Sequence, residues 1–321
     1  MDLSTTYLGL ELPHPFVAGA SPLSDSVDRA RRLEDGGAAA IVLRSLFEEQ
    51  IDGPSGSPSL DGEATLPDPE ECVFGPDEYL DHLQSVKAAV SVPVIASLNG
   101  HSLGGWLRHA QDLERAGADA LELNLYDVAA DPDLDGAEIE EQAVEMVQEV
   151  KRAVRIPLAA KLSPFYTSLP HFARRLVEAG ADGLVLFNRF YETDIDVEAL
   201  EVRTHVDLSH HHELLLRLRW LAVLSGCVPC SFAVSGGVYT AQDAVKAILC
   251  GAHAVQMVSA LLRHGPACLG EVRGRFAQWM RERGYGSLAQ MRGSIHFVTS
   301  PDPRTFERAN YMRVLQAYRS E

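Results

Sequence analysis

The clearest pattern along the chain is an amphipathic helical segment that ends at a glycine and leads, through an alanine, into a short apolar segment. It occurs four times, and the apolar segments cover residues 39–43, 120–123, 183–186 and 254–257. Glycine readily adopts the left-handed conformation that closes a helix, and a continuous apolar run suits a strand buried on both faces of a parallel sheet. The repeat therefore predicts helices that alternate with parallel strands.

Four further apolar segments complete this alternation. Residues 15–20 form the first, and residues 92–97, 156–161 and 228–233 each carry a proline near the strand start, where it is tolerated. Helical periodicity fills the gaps, at residues 26–34, 76–89, 106–116, 136–153, 169–179, 213–224, 241–249 and 266–283. Eight strand and helix units in strict alternation favour a (β/α)8 TIM barrel over a doubly wound open sheet. We expect residues 1–321 to form one α/β domain, with a last helix at residues 303–318 packed on the barrel.

Two loops that follow predicted strands are unusually long. Residues 47–75, after strand two, are rich in acids, Gly, Pro and Ser, and no Lys or Arg occurs between Arg44 and Lys87. Loops of this length in compact domains are usually functional or mobile, so we interpret this one as either a lid or a disordered insertion. Residues 189–212, after strand six, end in three consecutive histidines, which we interpret as an exposed helix start.

Composition narrows the class of protein. The formal charge is −17, from 45 acidic and 28 basic residues, which disfavours binding to nucleic acid or anionic lipid. No apolar run approaches the ~18 residues of a membrane span, and no secretory signal pattern follows Met1, so we expect a cytoplasmic protein. Five cysteines without framework spacing argue against a disulfide scaffold. Cys227 and Cys230 lack the further ligands of a zinc site, so we expect buried thiols and no metal site.

In a barrel of this kind, catalytic side chains come from the carboxyl ends of the strands and the loops after them. The residues found there are Ser21, Arg44, Asn99, Asn124, Lys161, Asn188, Ser235, Gly236, Gly237 and Ser259. The two glycines after strand seven would let backbone N–H groups and the following helix starts approach a phosphate; the alternative is a tight turn without a ligand. A lysine that faces a barrel mouth, such as Lys161, is costly unless it meets an anion, is catalytic or forms a rim salt bridge.

Taken together and in this order, these residues resemble the class 1 dihydroorotate dehydrogenase family, and in particular its branch of dihydroorotate dehydrogenase-like proteins. The resemblance covers nearly the whole chain and includes residues 44–50, 96–100, 161–165, 186–191, 259–266 and 309–312. It implies FMN at the barrel rim, with Lys161 near the electron-rich edge of the flavin, where a cation would stabilise the charge of the reduced ring. The cofactor-binding residues it implies are Ala20, Ser21, Arg44, Asn99, Asn124, Lys161, Ser235, Gly236, Gly237, Val258 and Ser259.

Three departures from the family pattern concern the substrate. Where the family has a cysteine or serine base, this chain has Asp127, which could take a carbon-bound proton only if burial raised its pKa. Asp127 as base, Tyr126 as proton donor and no base in this loop are the open alternatives. Arg44 replaces the strand-two lysine of the family, and the acidic segment 52–78 has no counterpart of the loop that grips orotate. Arg189 replaces a small polar residue and could pair with a substrate carboxylate or phosphate, or with the acidic loop.

The resemblance implies an FMN-dependent oxidoreductase that acts on a CH–CH or C=C bond beside a carbonyl, on a substrate other than dihydroorotate. Asn124, Asn188 and Arg189 would contact this small-molecule substrate. Two alternatives are a Schiff-base lyase or aldolase in which Lys161 attacks a carbonyl, and a flavin-binding module without chemistry of its own. The family also implies a homodimer. Because the cysteines form no cluster motif, an iron–sulfur route for electrons would need a partner protein.

Overall fold

The computed structural model describes residues 1–52, 73–100, 106–126, 129–190, 192–203, 207–295 and 303–317, and within these ranges eight parallel strands form a closed barrel. In chain order the strands are β1 (Phe16–Ala18), β2 (Ile41–Phe47), β3 (Val94–Gly100), β4 (Ala120–Leu125), β5 (Leu158–Leu162), β6 (Gly183–Leu186), β7 (Ser231–Ser235) and β8 (Ala254–Met257). Each strand pairs with the next, and β8 pairs with β1 to close the ring. This arrangement confirms the predicted (β/α)8 TIM barrel.

A helix follows each strand and packs on the outside of the ring. The helices are α1 (Val27–Asp35), α2 (Pro76–Ala89), α3 (Trp106–Arg115), α4 (Gly136–Ala153), α5 (Leu169–Glu178), α6 (His211–Leu224), α7 (Ala241–Leu249) and α8 (Cys268–Glu282). Apolar side chains between strands and helices form the larger core, which includes Phe16, Phe172, Phe232 and Phe276. The side chains of Ser26, Asp135 and Thr240 accept hydrogen bonds from first-turn N–H groups and fix where α1, α4 and α7 begin.

A hairpin near the N-terminus closes the end of the barrel at which the strands begin. Its two strands, Thr5–Tyr7 and Leu10–Leu12, pair in antiparallel fashion, and the sequence analysis assigns no element to them. Tyr7, Leu8 and Leu12 are at most 1% exposed and pack against the lower barrel interior, which includes Val17, Val42, Ile95, Ala159, Val185 and Ala233. Gly183 permits this contact, because a Cβ there would lie 2.5 Å from Leu8 Cδ2. The opposite rim, at the carboxyl ends of the strands, is therefore the end that can receive a ligand.

Several strands continue beyond their predicted carboxyl ends. β2 extends to Phe47 rather than residue 43, β4 to Leu125 rather than residue 123, and β7 to Ser235 rather than residue 233. Polar residues interrupt the apolar runs at these points, but the backbone pairing continues through Ser45, Asn124 and Ser235. The candidate polar residues of β2, β4, β5 and β7 therefore lie within the barrel strands.

Both long loops contain short elements. The loop after β2 starts with the helix Glu48–Asp52, whereas residues 53–72, on which the lid or insertion interpretation rests, lie outside the described residues. The loop after β6 contains a hairpin with strands Asp194–Asp196 and Glu201–Arg203. The three histidines are exposed, with His210 as the N-cap of α6 and His211 as its first residue. This position confirms their interpretation as a helix start.

The C-terminal helix spans Pro303–Ala317. Residues 308–317 are exposed or half-buried, and Tyr311, Met312, Val314 and Leu315 are between 48% and 70% exposed. The expected packing of this helix on the barrel is therefore not seen over residues 308–317. Among the described residues, each helix is too short or too polar to span a membrane.

Candidate active site

Three polar side chains form a buried network inside the barrel. Glu122 in β4 accepts a hydrogen bond from Lys161 Nζ in β5 at 3.0 Å and another from Gln256 Nε2 in β8 at 2.5 Å. Glu122, Lys161 and Gln256 are 1%, 7% and 0% exposed. Because an isolated buried charge is costly, the carboxylate and the ammonium stabilise each other here. Lys161 thus forms a salt bridge, but with a partner inside the barrel rather than on its rim.

Asn124 lies above Glu122 on the inner face of β4, since alternate residues of a strand share a face. Its Nδ2 donates to Ser45 Oγ at 2.6 Å and is 3.4 Å from Ser97 Oγ. Asn124 Oδ1 is buried and has no hydrogen-bond partner within the described ranges, and the same is true of Gln256 Oε1. Buried acceptors normally have partners, so these two atoms are suited to a ligand that supplies hydrogen-bond donors.

Asn188 follows β6 and is tied to β5. Its Nδ2 donates to the Lys161 carbonyl oxygen at 3.1 Å, and its backbone N–H donates to the Leu162 carbonyl oxygen at 2.8 Å. Asn124 and Lys161 are direct register partners in β4 and β5. The structure therefore brings Asn124, Lys161 and Asn188 together at the carboxyl ends of adjacent strands.

The two glycines after β7 form a turn with little room for side chains. Gly236 and Gly237 have φ angles of +96° and +76°, and a Cβ on Gly236 would lie 2.6 Å from Arg217 Nη2. Gly237 N–H donates to Ser209 Oγ at 3.1 Å, and Ser209 Oγ donates to Ser259 Oγ at 2.9 Å. Two of the predicted phosphate-binding residues, Gly237 and Ser259, are thus joined through Ser209. Val258 directly precedes the short helix Ser259–His264.

A buried arginine lies behind this turn. Arg217 in α6 is 2% exposed, its Nε donates to the Ser235 carbonyl oxygen, and its Nη1 donates to the Glu213 carbonyl oxygen at 2.7 Å. Burial lowers the pKa of Arg217 to about 10, which leaves the guanidinium charged at neutral pH. Glu213 Oε2 accepts a hydrogen bond from Arg189 Nη1 at 2.8 Å and is 3.7 Å from Arg217 Nη2. Arg189, predicted at the substrate, is therefore paired with α6.

Arg44 is held by a carboxylate of the neighbouring β1 loop. Its Nε and Nη2 donate to the two carboxylate oxygens of Asp25 at 2.9 Å and 2.8 Å. Ser21 lies in the same loop, where its hydroxyl caps the 3-10 turn Pro22–Ser24. Ala20 packs against the lower barrel core. Asn99 is half-buried and pairs in register with Asn124.

Sequence comparison places this site in a known family. The protein named "Putative dihydroorotate dehydrogenase A (fumarate)" from Aeropyrum pernix is 30% identical over 309 residues, which cover 92% of this chain and 98% of that protein. The chain belongs to the dihydroorotate dehydrogenase family. No family model matches the chain.

Two other relatives show the range of this family. Dihydroorotate dehydrogenase B (NAD(+)), catalytic subunit, from Thermoplasma volcanium is 26% identical over 310 residues, covering 91% of this chain and 98% of the relative. NAD-dependent dihydropyrimidine dehydrogenase subunit PreA from Escherichia coli K12 is 24% identical over 334 residues, covering 91% of this chain and 76% of the relative. Membership of the family confirms the cofactor and the reaction class expected from the sequence, an FMN-dependent oxidoreductase acting on CH–CH or C=C bonds.

The loop in which the family carries its base follows β4. Tyr126 lines a cavity of about 30 Å³ beside α4, together with Ile139, Gln142 and Tyr166. Asp127 lies outside the described residues, so its role as a base stays a prediction.

Several polar residues of the site were missed by sequence reasoning. Glu122 could have been found, because the strand alternation that selects Asn124 also places Glu122 on the inner face of β4. Arg217 and Ser209 come from α6 and the loop before it, where no local pattern distinguishes them from ordinary helix and loop residues. Asp25 was missed for the same reason.

Over the described ranges, the cysteines neither pair in disulfides nor contribute to a metal site. Among the described residues, no group of three or more His, Cys, Asp or Glu is arranged to hold a metal ion. The described cysteines are free thiols, and Cys227 is exposed, so the expectation of a buried thiol is wrong at this position. Cys230 is half-buried, and burial raises its pKa to about 12, which keeps it protonated and unreactive at neutral pH.

The residues at the mouth fit the FMN of this family. Gly236 and Gly237 have φ angles of +96° and +76°, which favour glycine and occur in turns whose backbone N–H groups bind an anion. The unpartnered acceptors Asn124 Oδ1 and Gln256 Oε1 can accept hydrogen bonds from a polar ring. Both features lie at the carboxyl ends of the strands, where barrel enzymes bind their ligands.

Proposed function

We propose that this protein binds FMN at the mouth of the barrel and oxidises or reduces a CH–CH or C=C bond beside a carbonyl in a small cyclic substrate. The observation that carries this proposal is the convergence of Asn124, Lys161 and Asn188 above the buried Glu122 carboxylate. When bound, FMN would exchange a hydride with a substrate carbon through its N5 atom. Residues 1–321 would act as one FMN-binding domain.

The cofactor would be held at its phosphate and at its ring. Backbone N–H groups of the turn after β7, with the Ser259 hydroxyl, would hold the phosphate, which would take the place of Ser209 Oγ at the Gly237 N–H. The residues assigned to the phosphate are Gly236, Gly237, Val258 and Ser259, and those assigned to the ring and its surroundings are Ala20, Ser21, Arg44, Asn99, Asn124, Lys161 and Ser235.

Lys161 would act as a fixed cation. Its Nζ is 3.0 Å from Glu122 Oε1, so the ammonium is held in one place and its charge is partly offset. At the flavin edge it would stabilise the negative charge that reduction brings there. An aldolase would need Lys161 as a neutral nucleophile, and a hydrogen bond from Nζ to a carboxylate supports the cation instead.

The substrate-binding side supports a neutral ring rather than dihydroorotate, which carries a carboxylate. Arg44 already has Asp25 as a bidentate partner, and Arg189 already has Glu213. A substrate carboxylate would have to displace one of these protein carboxylates, at the cost of leaving it unpaired. The amide side chain of Asn124, with its unpartnered oxygen, matches the N–H and C=O edge of a dihydropyrimidine. We therefore infer that the substrate is an uncharged dihydropyrimidine or a similar cyclic amide, a class that also occurs in the name of the Escherichia coli relative.

Proton transfer at the substrate carbon is assigned to the loop after β4. Asp127 would be the base, and Tyr126 is the alternative proton donor. Single-turnover reduction of the enzyme-bound flavin by substrate separates the two. If Asp127 is the base, Asp127→Asn should slow flavin reduction strongly, whereas Tyr126→Phe should leave its rate nearly normal. Slow reduction in Tyr126→Phe and a nearly normal rate in Asp127→Asn would assign the proton transfer to Tyr126.

The visible absorption spectrum of the purified protein tests the cofactor. A protein that is colourless and takes up no added FMN would contradict the proposed function. Anaerobic mixing with dihydrouracil, dihydrothymine or dihydroorotate then tests the substrate, and we expect the first two to bleach the flavin and dihydroorotate to leave it oxidised. Bleaching by dihydroorotate alone would overturn the inference of a neutral substrate, and a flavin that no compound reduces would favour a binding module.

We also propose a homodimer formed through the hairpin after β6. Ile195 and Val202 are directly opposite each other in this hairpin and are 60% and 59% exposed. Val197 and Leu200, in the turn between the two strands, are 73% and 84% exposed. A two-stranded hairpin is marginally stable alone, and an exposed apolar face of this kind marks an interaction site. A second copy of the chain would cover it.

Electrons are proposed to leave through a separate partner protein. Two relatives are named as a catalytic subunit and as a subunit, and the sequence offers no cysteine cluster for an iron–sulfur centre of its own. The cytoplasmic location expected from the sequence stays a prediction.

A further inference from the structure

Arg217, behind the glycine turn, carries a positive charge that its hydrogen bonds do not require. Arg217 braces two carbonyl oxygens, those of Ser235 and Glu213, and a neutral amide side chain could donate to the same atoms. Arg217 is 2% exposed, and among the described residues its nearest carboxylate oxygen, Glu213 Oε2, is 3.7 Å away. A buried charge without a close counter-charge is costly, so its presence at this position calls for an anion nearby.

The guanidinium is packed directly against the turn. A Cβ on Gly236 would lie 2.6 Å from Arg217 Nη2 and 2.9 Å from its Cζ and Nε atoms. The guanidinium therefore occupies the space that a side chain at residue 236 would need. Gly237, the next residue, has its N–H directed to Ser209 Oγ, which in turn contacts Ser259.

Nearby charges do not neutralise Arg217 completely. Glu213 Oε2 is shared between Arg217 and Arg189, and it is closer to Arg189 Nη1, at 2.8 Å. Glu192 contacts Arg189 Nη2 only at 3.7 Å and is itself exposed. Two buried or half-buried guanidinium groups thus share one close carboxylate, which leaves about one positive charge beside the glycine turn.

We propose that Arg217 is a phosphate-recognition residue that acts from behind the backbone: its charge makes the Gly236–Gly237 turn select a phosphorylated flavin over the same flavin without its phosphate. Glu213 sets the strength of this effect, because it determines how much of the charge is neutralised. This inference rests on the proposed FMN site and adds to it a residue of α6 that contacts the turn rather than the open mouth.

Binding of FMN and riboflavin to the flavin-free protein tests the proposal, since the two ligands differ only in the phosphate. Dissociation constants are measured by flavin fluorescence quenching for the wild type and for Arg217→Gln. The substitution should weaken FMN binding by at least about tenfold, the effect expected for loss of one charge at short range, and should change riboflavin binding by less than about twofold. An equal loss for both ligands would show that Arg217 only supports the fold, and would overturn the proposal.

Two further variants keep the test decisive if Arg217→Gln does not fold. Arg217→Lys retains the charge and should retain most of the preference for FMN. Glu213→Gln removes the negative charge while its amide oxygen can still accept from the His210 N–H, as Glu213 Oε1 does at 2.9 Å, and it should strengthen FMN binding without strengthening riboflavin binding. A loss of preference in the lysine variant, or no gain in the Glu213 variant, would contradict the role of charge.

A matched control is available on the same helix. Arg219 is exposed, two residues after Arg217, and Arg219→Gln removes the same charge from the whole protein. It should leave the ratio of FMN to riboflavin affinity unchanged. Wild-type protein that binds neither flavin would contradict the proposed function itself, whereas wild-type protein that binds both equally would contradict only the phosphate site.

Discussion

The Glu122 carboxylate is a negative charge directly next to the cation proposed to face the flavin. Glu122→Gln should leave the Lys161 charge uncompensated and so favour the reduced flavin. The expected result is a midpoint potential of the bound flavin that rises by about 30 mV or more, which corresponds to ~1.4 kcal/mol for two electrons. A spectroscopic redox titration measures it.

The control for this prediction is Glu145→Gln, at an exposed position of α4, which should leave the potential unchanged. An equal shift in both variants would assign the effect to overall charge. A potential that stays constant in Glu122→Gln would mean that Lys161 does not act on the flavin.

Gly236 is the residue at which the backbone leaves no room for a side chain. Gly236→Ala places a methyl group against the Arg217 guanidinium at a φ of +96°, so we expect a loss of stability of about 1–3 kcal/mol and much weaker FMN binding. Urea unfolding and flavin titration measure the two effects. Gly274→Ala, in α8, places its methyl group in open space among the described residues of other elements and should be neutral or slightly stabilising. Normal FMN binding by the Gly236→Ala variant would contradict the assignment of this turn to the cofactor site.

Single residues also show where sequence reasoning reaches its limit. Lys161, Asn124 and the glycine pair were predictable because they stand at strand ends, which the apolar repeat locates. Arg217 was not, because its role depends on a guanidinium that fills the space beside Gly236, a contact between residues 19 positions apart in a helix and a turn. The ion pairs of Arg44 and Arg189 likewise depend on loops and helix faces that the sequence does not position.

At the scale of elements, the exposed hairpin after β6 predicts the oligomeric state. Val202→Lys places a charge on its apolar face, which should convert a dimer into a monomer, as measured by light scattering coupled to size-exclusion chromatography. Glu201→Lys, on the opposite face of the same strand, makes the matched control and should remain dimeric. If the Val202→Lys variant remains a dimer, the dimer interface lies elsewhere on the protein.

The eight barrel units were predictable as elements, since each glycine and each apolar run is a strong local signal. The two hairpins were not, because their strands have three residues each, too few to show a period. The carboxyl ends of the strands were predicted too early for a related reason. Polar residues that face the barrel mouth look like strand ends in a sequence, although the backbone ladder continues through them.

For the whole molecule, one buried and one half-buried histidine predict how the stability depends on pH. His14 Nε2 accepts a hydrogen bond from Arg273 Nη1, and His253 Nδ1 accepts one from the Phe232 N–H, so both rings must be neutral. Burial lowers the pKa of each to about 4, below the value of about 6.5 expected in the unfolded chain. The unfolded chain therefore binds more protons between these values. The stabilising contribution is complete above pH 6.5 and is lost as the pH falls towards 4.

We expect each histidine to contribute on the order of 2 kcal/mol to this loss. Urea unfolding at several pH values between 4.5 and 7.5 measures it. His253→Gln should flatten the dependence relative to the wild type, whereas His171→Gln, at an exposed site in α5, should not. Parallel pH curves for the wild type and the His253 variant would contradict the assignment.

The hairpin that closes the lower end of the barrel determines where small molecules enter and leave. Over the part of the chain that the structure describes, Tyr7, Leu8 and Leu12 fill that end, so small molecules enter and leave at the rim. A reductant and a small oxidant must then visit in turn, the first leaving before the second arrives. Steady-state rates should accordingly follow a ping-pong pattern, with parallel lines in double-reciprocal plots. Intersecting lines with a small oxidant would contradict the shared entrance, whereas intersecting lines with the proposed partner protein as acceptor would show that this protein docks away from the rim.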